Sequence, residues 1–277
     1  MPLSLLQRVG ALVGRILFLL PLRLCDTTLK NISACFPNLK VSETRKLALS
    51  SVQQTTMAAF EMGKCWLWPI ARTTTLVTRC KGWEIFESAM AGKNGVIILA
   101  PHLGNWELFA AYMAESAPIT FMYQPHKVQS LDNLVKSART RGQMRLAPAN
   151  RNGVALLLRT LKAGDCIGIL PDQEPDRESG EFAEFFGVPA LTMTLVAGLV
   201  QRTGAEVICG YAKRLPAGGG FEVIFSEVDA RVYDADRQVS VQGLNNTVES
   251  CVIDALDQYQ WEYKRFKRRP DGSHFYH

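Results

Sequence analysis

The sequence lacks the short motifs that identify several large classes of enzyme. It contains no G-x-x-x-x-G-K-[ST] loop, no G-x-G-x-x-G turn and no G-x-S-x-G elbow. These absences argue against a phosphate-binding glycine loop, a dinucleotide site and serine hydrolase chemistry. The seven cysteines form no C-x-x-C pair, and no Cys/His metal-ligand spacing stands out. We therefore expect reduced thiols, no bound metal and no redox cofactor.

A strong excess of charge of either sign is also missing. The formal net charge is +5, which is too small to indicate nucleic acid as a partner but suits an anionic membrane surface. Hydrophobic residues make up 47% of the 277 residues, enough for a sizeable core. The length fits one large α/β domain or two small ones.

The N-terminal segment has no long uninterrupted hydrophobic run. Residues 3–24 are mostly apolar, but Arg8, Arg15 and Arg23 interrupt them, so no clean run reaches the roughly 18 to 20 residues of a spanning helix. No A-x-A-like cleavage site follows. At about 100° per residue the three arginines form one basic stripe on an apolar helix. The pattern predicts that residues 1–25 are an interfacial, membrane-anchoring helix, and an ordinary buried first helix is the alternative.

Apolar runs and helical periodicities alternate along the rest of the chain. Strands are predicted at 96–100, 119–123, 166–170, 206–211 and 221–225. Helices are predicted at 42–68, 84–91, 106–115, 132–141, 152–163, 192–203 and 242–263. This alternation predicts an α/β fold for residues 26–277, with a mostly parallel central sheet and helices on both faces.

Polar residues follow three of these predicted strands. His102 follows the first, residues 123–127 follow the second, and Asp172 follows the third. Ligands of open α/β sheets bind beyond the carboxyl ends of the strands. We therefore expect the three polar groups to converge at one edge.

His102 and Glu107 carry the sharpest chemical signal. The histidine follows a buried strand, and the glutamate lies in the first turn of the next helix. A carboxylate that holds one imidazole nitrogen leaves the other free to accept a proton. With no serine or cysteine nucleophile nearby, the pair suits activation of a substrate hydroxyl. A structural histidine beside a glutamate favoured by the helix dipole is the alternative.

The H-x-x-x-x-E pattern resembles the H-x4-D/E motif of glycerolipid and lipid A acyltransferases. Four blocks in collinear order are similar to the lipid A late acyltransferase family, which includes lauroyl and myristoyl transferases. The blocks are NISACFP at 31–37, APHLGNWE at 100–107, DQE at 172–174 with FFGVPALT at 185–192, and YKRFKRRP at 263–270.

The resemblance implies a glycerolipid acyltransferase-like fold and transfer of a fatty acyl group from acyl carrier protein or coenzyme A to a hydroxyl of an acylated glucosamine lipid. It implies that His102 is the base and Glu107 the carboxylate that orients it. Arg139 stands where the family uses an arginine near its active site. Substrate binding or oxyanion support is therefore expected for Arg139, with a solvated helix arginine as the alternative. Substrate binding is also expected for Asn105, Asp172 and Gln173 of the matching blocks.

One loop departs from the family pattern. Gln124 stands where the family usually has an arginine, so the fixed charge and the bidentate fork are lost. His126 and Lys127 follow and are candidates to replace that charge. Gln124 and Lys127 are therefore predicted substrate-binding residues, although an exposed loop is an equally simple interpretation of His126 and Lys127.

The C-terminal stretch 261–269 mixes basic and aromatic residues. Such a stretch suits lipid phosphates at a membrane interface or the acidic surface of a carrier protein. We predict phosphate or membrane contacts for Arg265 and Arg268, together with Arg8 and Arg15. A solvated basic helix end is the alternative, and no nucleic-acid-binding module accompanies the stretch.

These inferences predict an enzyme on the cytoplasmic face of a bacterial inner membrane. The glycolipid acceptor is expected to be a lipid A precursor. Two rivals stay open: an acyltransferase for another acceptor, such as a phosphatidylinositol mannoside or an amino-acid lipid, and a lipid-binding relative without turnover.

Overall fold

The structure is a computed structural model that describes residues 1–125 and 128–276. These residues form ten α-helices and nine β-strands. The helices are α1 (Leu3–Phe18), α2 (Arg23–Cys35), α3 (Val41–Leu67), α4 (Ile70–Thr74), α5 (Trp83–Ala91), α6 (Trp106–Ser116), α7 (Gln129–Arg139), α8 (Arg151–Lys162), α9 (Leu195–Thr203) and α10 (Arg237–Asp254). The strands are β1 (Val77–Lys81), β2 (Val96–Leu99), β3 (Ile119–Tyr123), β4 (Met144–Pro148), β5 (Cys166–Ile169), β6 (Gly180–Phe185), β7 (Val188–Met193), β8 (Glu206–Arg214) and β9 (Phe221–Glu227).

Seven of these strands form one sheet in the order β1-β9-β8-β2-β5-β3-β4. All neighbours in it run parallel except β8 and β9. Strands β6 and β7 form a separate antiparallel hairpin. The prediction of an α/β fold with a mostly parallel central sheet is confirmed.

Strand β2 shows why the centre of the sheet is so apolar. Val96 and Ile98 belong to one core cluster, whereas Ile97 and Leu99 belong to another. Because successive side chains of a strand point to opposite faces, both faces of β2 are covered. A continuous apolar run is what such a strand requires, and this run predicted it correctly.

Two of the predicted helices, 192–203 and 242–263, extend too far at one end. The segment predicted to open a helix at residue 192 instead belongs to β7, and α9 begins at Leu195. The two residues between β6 and β7, Phe186 and Gly187, have φ angles of 49° and 74°. Such a two-residue turn favours asparagine and glycine. Because phenylalanine occupies its first position, the sequence pattern did not predict the hairpin. The closing helix ends at Asp254 rather than at residue 263.

The N-terminal segment is two helices rather than one. Helices α1 and α2 are bent by 87°, and Arg23 begins α2. The predicted stripe of three arginines is therefore wrong, and Arg8 and Arg15 alone share a helix. Within the described residues no single helix is long and apolar enough to cross a membrane, whereas α1 and α2 taken together pass the same test of length and composition.

Helix α1 packs closely on α3 through two glycines. A Cβ atom added at Gly10 would lie 2.8 Å from the Met57 Cα, and one added at Gly14 would lie 2.6 Å from the Gln53 Cα. Any larger residue at either position would push the backbones apart. The first helix is therefore seated on the α/β unit rather than detached from it.

A buried ion pair joins α3 to β8 near the contact between α1 and α3. Arg214 binds both carboxylate oxygens of Glu61, with Nε–Oε1 and Nη2–Oε2 distances of 2.7 and 2.6 Å. Gln7 of α1 donates to Oε1 at 2.8 Å, and Asn105 donates to Oε2 at 3.2 Å. All four side chains are buried, so this network links the first helix to the loop before α6.

We predict that Glu61→Ala lowers the free energy of unfolding by about 3–5 kcal/mol, because it leaves the Arg214 guanidinium buried without its partner. Urea denaturation measures the change. Replacing Glu61 and Arg214 together by methionine should recover part of the loss. The exposed Glu87→Ala on α5 is the control, and equal effects at Glu61 and Glu87 would contradict the prediction.

Candidate active site

The register of two neighbouring strands places His102 beside Asp172. Strands β2 and β5 are parallel, and Leu99 pairs with Ile169. His102 and Asp172 each lie three positions beyond this pair, and each follows a proline. The carboxyl ends of the two strands therefore deliver an imidazole and a carboxylate to the same level of the sheet edge.

Asp172 binds His102 through two hydrogen bonds. The ring Nδ1 lies 2.9 Å from Oδ1 of Asp172, and the backbone N–H of His102 donates to Oδ2 at 2.9 Å. The His102 side chain is 12% exposed, and that of Asp172 is 2% exposed. A buried carboxylate with two donors from one residue fixes both the position and the rotation of the ring.

The charge of Asp172 decides which ring nitrogen of His102 carries the proton. Burial by itself raises the pKa of Asp172, but the His102 charge and hydrogen bonds outweigh burial and hold this pKa below its usual range. An ionised carboxylate only accepts, so Nδ1 carries the hydrogen and Nε2 keeps its lone pair. The Gln173 amide nitrogen lies 3.2 Å from Nε2 and 3.3 Å from Oε1 of Gln260.

The loop that carries His102 is held on both sides. Asn105 N–H donates to the carbonyl of Ala212 in β8 at 2.9 Å, and Gln260 N–H donates to the carbonyl of His102 at 3.1 Å. Gly104 has a φ of +63°, and a Cβ added there would lie 2.0 Å from the Ala212 oxygen. Only glycine fits this approach, which explains the glycine two positions after the histidine.

Glu107 does not contact the imidazole, so the predicted pairing of His102 with Glu107 is wrong. The first turn of α6 directs Glu107 toward α3 and α7 instead. Its carboxylate accepts from Trp66 Nε1 at 3.1 Å and from Arg139 Nε at 3.2 Å, and a second bond from Arg139 completes a bidentate pair. Burial raises the pKa of Glu107, but the Arg139 charge and hydrogen bond outweigh it and lower that pKa.

The structure does not support the prediction that Asn105 binds substrate. It is 1% exposed and caps α6, since its side-chain oxygen accepts from Leu108 N–H at 2.9 Å. Its amide donates to Glu61. Because both ends of this side chain are used inside the protein, Asn105 positions the helix start rather than a ligand.

Arg265 also differs from its prediction as a phosphate contact. It is 3% exposed, and it donates to the Leu191 carbonyl and to Thr192 Oγ1. These bonds tie the C-terminal segment to β7. Arg268 is partly buried, and its backbone N–H donates to Glu174 Oε1 at 2.8 Å.

The remaining predicted residues lie at the surface or outside the described residues. Gln124 is exposed directly after β3, and Arg8 and Arg15 are exposed on α1. Lys127, like His126, lies outside the described residues. Arg139 is 19% exposed at the end of α7, close enough to the surface to meet a ligand while it holds Glu107.

Sequence reasoning missed several partners of these residues. Trp66 and Gln260 come from α3 and from the segment after α10, and nothing in their local sequence points to the site. For Asp172 a signal was present. It follows its strand at the same offset as His102, and equal offsets on paired parallel strands predict contact.

The sequence profile of the family described as "Bacterial lipid A biosynthesis acyltransferase" matches residues 1–268, so the chain belongs to that family and is an acyltransferase. It is 27% identical over 276 residues to the lipid A biosynthesis lauroyltransferase of Escherichia coli K12, covering 98% of this chain and 88% of the relative. It is 28% identical over 246 residues to the palmitoleoyltransferase of that organism, covering 88% and 78%. The E. coli myristoyltransferase is 23% identical over 269 residues, covering 97% and 81%.

We predict that Asp172 contributes to the pH dependence of stability. Because its pKa is lower in the folded chain than the roughly 3.9 of an unfolded aspartate, its contribution is present above that value and is lost as pH falls through the folded pKa. In urea denaturation between about pH 5 and pH 3, Asp172→Asn should therefore lose stability less steeply than the wild type. The exposed Asp176→Asn serves as control, and parallel curves for wild type and Asp172→Asn would refute the assignment.

Proposed function

We propose that this acyltransferase moves a fatty acyl chain from an acyl thioester, carried by acyl carrier protein or coenzyme A, to a hydroxyl of a lipid A precursor, with His102 as general base. The bond between His102 Nδ1 and the buried Asp172 carboxylate carries the proposal. It leaves Nε2 as the basic atom of the site. The family membership and the names of the relatives support the acceptor class.

The reaction follows from this arrangement. The acceptor hydroxyl takes the place of the Gln173 amide at Nε2 and gives its proton to that nitrogen. The sugar oxygen attacks the thioester carbonyl carbon, and a tetrahedral oxyanion forms. The C–S bond then breaks, His102 returns the proton to the thiolate sulfur, and an ester and a free thiol result. Asp172 stabilises the imidazolium while it exists.

Arg139 supplies the positive charge proposed to support substrate and oxyanion. Its guanidinium is held by Glu107 in a bidentate ion pair, so it is fixed before the substrate arrives. Burial lowers the pKa of Arg139, but Glu107 outweighs burial and raises it, which keeps the charge in place. A fixed donor aimed at a developing oxyanion is worth a few kcal/mol. Gln173, once displaced from Nε2, and the exposed Gln124 are proposed to bind the acceptor.

Helix α1 is proposed to hold the enzyme on the cytoplasmic face of the inner membrane. Leu5, Leu12 and Ile16 are 47, 59 and 51% exposed, and at about 100° per residue they share one face. Arg8 and Arg15 lie exposed beside that face. An apolar face with a basic margin suits an anionic bilayer surface. In the last stretch of the chain, Arg268 is proposed to contact lipid phosphates.

We predict that His102→Ala and Asp172→Asn each lower kcat by roughly 10²–10⁴, the first by removing the base and the second by removing the charge that sets its tautomer. Acyl transfer from a radiolabelled acyl thioester to an acylated glucosamine lipid measures this, with circular dichroism to check folding. Asp254→Asn, another hydrogen-bonded carboxylate, is the control. A wild-type kcat in Asp172→Asn would refute the role of the His102–Asp172 pair. A wild-type kcat in His102→Ala would refute the proposed general-base mechanism.

We predict that lipid A from a strain lacking this protein is lighter by one acyl chain than lipid A from its parent. Mass spectrometry of extracted lipid gives the difference, and the plasmid-borne His102→Ala variant should fail to restore the missing chain. An unchanged lipid A with another acylated lipid missing would assign the enzyme to a different acceptor.

We predict that Leu12→Glu with Ile16→Glu weakens binding to vesicles of phosphatidylglycerol and phosphatidylethanolamine by at least about tenfold, because burying each apolar side chain is worth on the order of 1.5–3 kcal/mol. Vesicle co-sedimentation measures the binding. The control is Ile253→Glu on α10, which replaces a side chain of similar exposure, 67%. Equal binding by the α1 variant and the wild type would rule out α1 as the contact.

A further inference from the structure

A second polar site lies beside the candidate active site. A cleft of about 360 Å³ opens between the short 3₁₀ helix Arg177–Ser179 and the chain at 267–274. Its lining contains four cationic side chains and a histidine and, among the described residues, no carboxylate, but Arg268 Nη1 pairs with Oε2 of the neighbouring Glu174 at 3.7 Å. These basic residues are Arg177, Lys267, Arg268, Arg269 and His274.

Contacts outside the cleft hold the arginines in position. The Arg268 guanidinium donates to the Pro175 carbonyl, and Arg269 Nη1 donates to the Pro189 carbonyl at 3.1 Å. The Arg177 guanidinium lies 4.8 Å from the centre of the Phe182 ring. Each guanidinium has five N–H donors, so one or two such contacts leave donors for a ligand. Cationic groups fixed in this way lose little side-chain entropy when an anion binds.

The lining of the cleft is hydrogen-bonded to the segment that contacts His102. Glu174 accepts the Arg268 backbone N–H at 2.8 Å, and it directly follows Gln173, which contacts the His102 ring. One hydrogen bond and one peptide bond therefore connect Arg268 of the cleft lining to Gln173, the residue in contact with the His102 ring. An extended molecule could reach from the cleft to His102 along this connection.

We propose that this cleft binds the phosphate of a phosphorylated sugar headgroup on the acceptor lipid and so orients the acceptor hydroxyl toward His102; the proposal rests on the proposed function. A phosphate monoester carries close to two negative charges near pH 7 and matches the planar fork of arginine. The volume is that of a small-molecule site. A carrier protein would instead need a flatter patch of roughly 800 Å².

The test measures binding without turnover. Phosphatidylcholine vesicles carry a small fraction of a phosphorylated acylated glucosamine disaccharide, of the same lipid after phosphatase treatment, or of phosphatidylglycerol at matched charge. The full-length wild type is compared with Arg177→Gln/Lys267→Gln, which removes two exposed charges of the cleft. The control is Arg202→Gln/Lys162→Gln, which removes two exposed charges from the ends of α9 and α8. Thermal unfolding checks that all variants fold.

The wild type and the control should bind the phosphorylated disaccharide vesicles at least about tenfold more tightly than the phosphatase-treated ones, and the cleft variant should lose most of this preference. The same preference in the cleft variant would overturn the proposal. A cleft variant that loses equal affinity for phosphatidylglycerol vesicles would show general attraction to anionic lipid and would also overturn it. A wild type that binds inorganic phosphate in solution but shows no preference for the phosphorylated disaccharide vesicles would assign the cleft to free phosphate instead.

Failure of the proposed function gives a different result. In that case the wild type transfers no acyl group to the disaccharide lipid, while the vesicle preference is still measured and judged by itself. Where transfer occurs, the cleft variant should raise the KM for the phosphorylated acceptor by about tenfold or more, with a much smaller change in kcat. A fall in kcat with an unchanged KM would contradict a binding role.

Discussion

The hydrogen bond between His102 and Asp172 is the interaction on which the geometry of the candidate active site depends. It is set by backbone geometry, since β2 and β5 pair in register and each continues through one proline to its polar residue. The backbone therefore places the two side chains within hydrogen-bond distance of each other. If His102 is the general base, as we propose, its ring is already oriented when a hydroxyl displaces Gln173 from Nε2.

Two carboxylates close to one histidine have separate tasks here. Asp172 holds the imidazole, whereas Glu107 holds the guanidinium of Arg139. Both are buried, and burial raises the pKa of each, but Arg139 outweighs burial at Glu107 and the interactions with His102 outweigh it at Asp172, so both pKa values are lowered. The glutamate of the H-x-x-x-x-E motif therefore holds Arg139 rather than the imidazole.

The sequence predicted the sheet well because its central strands are buried on both faces. The run 96–100 and the run 166–170 are apolar without interruption, and both became strands of the central sheet. The edge strand β1 is mostly exposed and polar, so it carried no such pattern. The β6–β7 hairpin was not predicted because its turn has Phe186 at a positive φ.

The site was predicted in its residues more than in its pairings. His102, Glu107, Arg139 and Asp172 were all singled out, and the structure brings them to one edge. Their partners depended on the direction in which the first turn of α6 points its side chains. That direction is fixed by the Asn105 cap and by the bond from Trp66, which lies 41 residues before Glu107 in α3. The prediction for Arg265 was wrong because a run of basic residues in the sequence does not show which of them is buried.

The glycine contact between α1 and α3 has a consequence for the geometry of the whole molecule. Gly10 and Gly14 pack against α3, and Gln7 binds the same Glu61 that binds Asn105, so a continuous series of buried contacts connects the first helix to the loop that carries His102. Whatever surface the outer face of α1 rests on, the histidine is held at a set height and tilt above it. The position of α1 on such a surface therefore sets the distance that a substrate must move out of that surface to reach His102.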